Sequence, residues 1–75
     1  MKFKYNIKEI VRALSRDDLM GLLHLMEDYE FLETKPAIVE MENRFIELFP
    51  TLNIDTQKQI ENLMLSCARF NSIGF

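Results

Sequence analysis

A single cysteine, Cys67, leaves this chain no intrachain disulfide. A single histidine, His24, leaves only carboxylates to complete a zinc site with that thiol, whereas structural zinc sites favour Cys and His. Two glycines and two prolines are too few for a disordered or loop-dominated chain. There is no glycine-rich phosphate loop and no calcium loop with its acidic spacing around a glycine. The most hydrophobic window, "LMGLLHLM", includes His24 and falls far short of the about 20 apolar residues that cross a bilayer. "MKFKYNIKEIV" starts basic but lacks the apolar core of a secretory signal. The expectation is a soluble, cytoplasmic protein with a reduced thiol, no metal, no cofactor and no membrane contact.

What is present is apolar bulk. Hydrophobic residues make up 48% of the 75, with six Phe and five Met. The chain suffices for one domain (residues 1–75) and no more. A domain this small removes only about 60–65% of its unfolded surface from water. Without disulfide or metal, good helix packing and association are the remaining ways to hold it together.

The net charge of −3 hides an asymmetry. Residues 1–16 carry Lys2, Lys4, Lys8, Arg12 and Arg16 against Glu9 alone, and the acidic residues dominate thereafter.

Caps and periodicity predict an all-α compact bundle of about four short helices, antiparallel where loops are short. "NIKE" sets Asn6 as the N-cap of the first, with Ile7, Ile10, Val11 and Leu14 following at helical spacing. "SRDD" opens the second at Ser15, with Leu19, Leu22, Leu23, Met26 and Tyr29 on its inner stripe. Apolar residues cover most of its circumference near Gly21, as in a central helix. Glu30 and Glu33 would fall on that stripe, so it ends near Phe31 or leaves the core there. The third runs from about Pro36 to Phe49 and is stopped by Pro50. The fourth is capped by Asn53 or Asp55, continues to about Phe70, and is lined by Ile60, Leu63, Met64, Cys67 and Phe70. Residues 1–6 read as an N-terminal arm and 71–75 as a C-terminal tail. Leu22, Leu23, Met26, Phe45 and Leu63 are the expected core.

No catalytic set emerges. His24 could act as a base oriented by Asp17 or Asp28, but no Ser, Thr or Cys stands at helical spacing from it as nucleophile. A surface histidine fits better. Cys67 has no nearby Lys, Arg or His on its face to activate it, so a small core hydrophobe fits better. The expectation is no enzyme.

Two charged patterns invite binding. Lys8, Arg12 and Arg16, four apart, form a ribbon suited to phosphates or an acidic protein surface. However, "NIKEIVRALSRDDLMGLLHLM" lacks exposed Arg, Asn and Gln for base edges on its second helix. Glu27, Asp28, Glu30, Glu33, Glu40, Glu42 and Glu47 could mimic nucleic-acid phosphates in a partner's basic groove, though −3 is mild for a mimic.

The sharper signal is in "AIVEMENRFIELF". On a helical wheel Ile38, Met41, Phe45, Leu48 and Phe49 share one face, while Val39 and Ile46 lie about 80–100° away from Ile38, across Glu42. With Met20, Leu25, Phe31 and Leu65, also off their own stripes, they constitute the candidate interface. The expectation is a homodimer, two-fold about the third helix, working as a protein–protein interaction module: a regulator, adaptor or inhibitor of an unidentified partner protein. Contact with nucleic acid ranks second. Small size, Phe- and Met-rich helices and no catalytic set are also the style of short bacterial and bacteriophage accessory proteins.

Overall fold

Asn6 caps the first helix. Its Oδ1 accepts from the backbone N–H of Lys8 at 3.0 Å and of Glu9 at 3.4 Å, satisfying donors the first turn leaves open. A computed structural model describes residues 6–71, with side chains through Arg69. The expected N-terminal arm and C-terminal tail, with Lys2 and Lys4, therefore lie outside the described residues, Asn6 and Asn71 excepted; the Phe70 side chain does too.

The chain is all-α. Helix α1 spans Ile7–Arg12 and α2 spans Arg16–Leu25. Ser15 Oγ accepts from Asp18 N–H at 3.2 Å and donates to the Asp18 carboxylate at 2.9 Å. The second helix does not reach Phe31. It stops at Leu25, and Tyr29–Glu33 forms a separate helix, α3, giving five α-helices among the described residues where about four were expected. The stop is built from backbone: Glu27 adopts a left-handed φ of 61°, its N–H bonds His24 O at 2.9 Å, and Asp28 N–H bonds Leu23 O at 3.4 Å. That is a Schellman closure with glutamate in the position glycine usually fills. Helix α3 ends similarly on Lys35, φ 52°, whose N–H bonds Leu32 O at 3.2 Å. Pro36 follows and lacks the N–H for the second bond of that motif.

Left-handed backbone costs an L-residue about 1–2 kcal/mol, which glycine avoids at some cost in unfolded-state entropy. Glu27→Gly and Lys35→Gly, both at exposed positions, are each expected to stabilise by about 0.5–1 kcal/mol and raise the melting temperature by a few degrees. Melting below the parent in thermal unfolding would contradict this.

Helix α4 spans Ile38–Leu48, starting two residues later than Pro36 suggests. Ala37 stands at the N-cap and has no acceptor, so only the return half of a capping box forms: Glu40 Oε2 accepts from Ala37 N–H at 3.3 Å. The expected break follows. A 3-10 turn, Phe49–Thr51, contains Pro50, and Leu52 is extended. Asn53 Oδ1 then accepts from Thr56 N–H at 2.8 Å to open α5, Ile54–Asn71.

Helix α2 contacts α3, α4 and α5, the central place its apolar circumference indicates, and α1 packs on α4 and α5. Arg16, at the start of α2, donates to Pro36 O at 2.9 Å just before α4. Asp28, past the end of α2, pairs with Arg44 in α4. These two contacts tie the start of α2 to Pro36, just before α4, and the turn after α2 to the middle of α4.

The buried core includes Ile10, Val11, Leu14, Leu19, Leu22, Leu23, Leu32, Met41, Phe45, Phe49, Ile60, Met64 and Ala68. Of the expected core, Leu63 is exposed and Met26 only half-buried; Tyr29 and Ile38, expected on inner stripes, are exposed too. Leu63 is 45% exposed, because α5 turns Gln57, Ile60, Met64 and Ala68 inward. Tyr29 is 53% exposed, since the break after Leu25 takes it off the α2 stripe. Ile38 is 41% exposed because it sits on the first turn of α4, beyond the core's edge. Met26 and Leu48 are half-buried.

Candidate interaction surface

The charged ribbon is only partly available. Lys8 and Arg12 are exposed on α1, but the guanidinium of Arg16 is held by the Pro36 carbonyl, where it ties α2 to α4. The acidic side is also partly engaged. Arg44 Nε donates to Asp28 Oδ2 at 2.7 Å and Nη2 reaches Oδ1 at 3.5 Å. The same guanidinium lies 5.7 Å from the Phe31 ring centroid and 3.6 Å from Glu47 Oε1. The hydrogen bond to Asp28 is the chief reason its pKa is raised, against some desolvation. Sequence spacing gives no sign of this pair, which is 16 residues apart and brought together by the turn through α3.

His24 is exposed and packs beside Tyr29, ring centroids 5.5 Å apart. Asp28, one of its two expected orienting carboxylates, is turned to Arg44 instead. Among the described residues no three His, Cys, Asp or Glu side chains converge to hold a metal ion. No described helix is long and apolar enough to cross a membrane.

Cys67 is half-buried on α5 facing α2. Burial pushes its thiol pKa up, and the charge of Asp18 with a hydrogen bond to it pushes the same way. The thiolate is the nucleophile, so Cys67 is expected to alkylate more slowly with iodoacetamide at pH 8 than a free thiol. Asp18→Asn should speed the reaction by lowering that pKa. An unchanged rate in a variant that remains folded would contradict the Asp18 contribution.

The candidate apolar interface divides in two. Met20, Phe31 and Leu65 are half-buried and pack against the core, occupied by their own chain. Val39 and Leu25 are not: Val39 is 62% exposed and Leu25 54%. Ile46 lies between these cases, half-buried two turns beyond Val39 on the same side of α4. The inner side of α4 is meanwhile filled by Met41 and Phe45, with Phe49 beyond it. A shallow cleft on α5 is lined by Asn62, Leu65, Ser66 and Arg69.

One buried polar residue has no counterpart in the sequence reading. Gln57 Nε2 donates to Phe49 O and to Leu52 O, both at 3.0 Å, clamping the 3-10 turn onto α5. Its signal was position: it falls on one arc with Ile60 and Met64, just past a proline turn.

No protein-family model matches this chain, no curated protein matches it, and no solved structure matches it.

Proposed function

We propose that the protein is a non-enzymatic interaction module that self-associates through the outer side of α4 and acts on a partner protein as a regulator, adaptor or inhibitor. The observation that carries this reading is Val39: a large aliphatic side chain, 62% exposed, on a helix whose opposite side is already fully packed. Ile38 beside it and Ile46 two turns on extend the apolar surface. A two-fold axis near α4 would cover this stripe with its own copy, the simplest closed arrangement. Binding by the basic ribbon is a weaker reading, because Arg16 is engaged within the fold and leaves Lys8 and Arg12 alone among its described members.

Light scattering on the parent and on Val39→Asp tests self-association, since an exposed position tolerates the substitution without unfolding. A dimeric parent and a folded monomeric variant are expected. A parent that remains monomeric at the highest soluble concentration would overturn the dimer. Affinity capture with both proteins, followed by partner identification, tests the wider reading: partners lost specifically on Val39→Asp support an α4 surface, and no partner with either protein would overturn the module.

A further inference from the structure

The one described glycine is in an odd place. Gly21 lies in the middle of α2, where glycine is less favourable than alanine. Nothing in the fold requires it: a Cβ built there would meet no atom within 4 Å, and its φ is not left-handed. It is exposed, and residues 24 and 25, one turn on, face the same side. His24 is exposed there and packed against Tyr29, and Leu25 is over half exposed. The result is a bare strip of backbone bordered by an aliphatic and an aromatic side chain.

We propose that this face of α2, comprising Gly21, His24 and Leu25, together with Tyr29 at the start of α3, is the recognition surface of the interaction module and receives a basic amphipathic helix of a partner protein. The proposal rests on the module reading but not on the α4 dimer. Glycine lets a second backbone or a large side chain approach α2 closely, a use that explains why the residue is not alanine. Tyr29 supplies an anchor of the kind enriched at interface hot spots, and Leu25 adds exposed apolar area beside it. The charge of the occupant follows from the surroundings. Residues 17–34 contain no Lys or Arg. Asp28 is paired with Arg44 and Asp18 bonds Ser15, so the acidic character of this face rests on the exposed Asp17, Glu27, Glu30 and Glu33. Asp17 is exposed one turn before Gly21, and Glu27 and Glu30 are exposed at the other end. Two copies of the chain meeting here would bring like charges together, whereas a helix with an apolar stripe and flanking Lys or Arg would complement both ends.

The probe is a synthetic 18-residue Leu/Lys amphipathic peptide, with a Leu/Glu peptide of the same pattern and a Ser/Lys peptide as controls. Binding is followed by fluorescence anisotropy and mapped by backbone NMR shifts on the full chain. The expected result is binding of the Leu/Lys peptide alone, with shifts centred on residues 21–29. Gly21→Ala should raise the melting temperature while weakening that binding at least five-fold, a combination a purely structural glycine would not produce. Leu25→Ser should weaken it similarly, and Val39→Asp should leave it unchanged. Equal binding by the Ser/Lys or Leu/Glu peptide, undiminished binding by Gly21→Ala, or no binding at all would overturn the proposal. Shifts confined to the Val39 side of α4 would overturn this surface while leaving the module reading standing.

Discussion

Phe45→Ala is expected to abolish most of the protein's stability. Phe45 is fully buried and stacks on Phe49, ring centroids 5.6 Å apart and planes 15° from parallel. Truncating a buried phenylalanine costs about 3–5 kcal/mol in lost transfer energy and residual cavity. Here it also removes the aromatic partner of Phe49. A chain of this size has a total stability of about 4–11 kcal/mol. The variant should therefore melt far below the parent or be partly unfolded at 25 °C, read by circular dichroism and urea denaturation. Phe45→Leu, which keeps most of the volume, should recover much of the loss. A Phe45→Ala protein with the parent's urea midpoint would mean that this side chain is not central to the core.

Phe45 was legible in the sequence because three signals agreed: helical spacing with Met41 and Phe49, bulk, and a proline to fix where the helix stops. Three helix starts were legible for a similar reason. Asn6, Ser15 and Asn53 each place a side-chain acceptor where first-turn N–H groups need one. The end of α2 was not legible, since the stop is a left-handed Glu27 and the usual cue there is glycine. The α5 stripe holds at Ile60 and Met64, but the bulk of Leu63 draws it too far to one side. The neighbouring helices instead accept the smaller Ala68 and the polar Gln57, turning Leu63 outward. The candidate interface shows the same limit. Val39, Leu25, Met20, Phe31 and Leu65 are all off-stripe in sequence, yet Met20, Phe31 and Leu65 pack against this chain's own core. A wheel gives direction around one helix but not what lies opposite it.

Gln57 is the place where fold energetics turn on a single polar group. Its amide donates two 3.0 Å bonds, to Phe49 O and Leu52 O, across the turn that ends α4 and leads to α5. Phe49 O also accepts from Leu52 N–H at 3.2 Å, so loss of the amide weakens a shared arrangement there and removes a donor from Leu52 O. Gln57→Leu keeps the bulk but takes away both donors, and each hydrogen bond lost costs about 0.5–1.5 kcal/mol. The expected result is a urea midpoint well below the parent with an unchanged slope, since the folded surface is the same. Gln57→Glu gives a sharper reading. A carboxylate would face two carbonyl oxygens with nothing to donate, so the introduced carboxyl should titrate above its unfolded value of about 4.3. Below that value the group is protonated in both folded and unfolded chains and can donate to one carbonyl, so the variant should lie nearest the parent there. As pH rises past about 4.3 the unfolded chain ionises first, and the deficit relative to the parent should grow until the folded group ionises too. Comparing the two proteins at each pH cancels the titration of the native carboxylates. A Gln57→Glu deficit that is flat from pH 3 to 8 would show that the side-chain amide does not hold the turn as a donor.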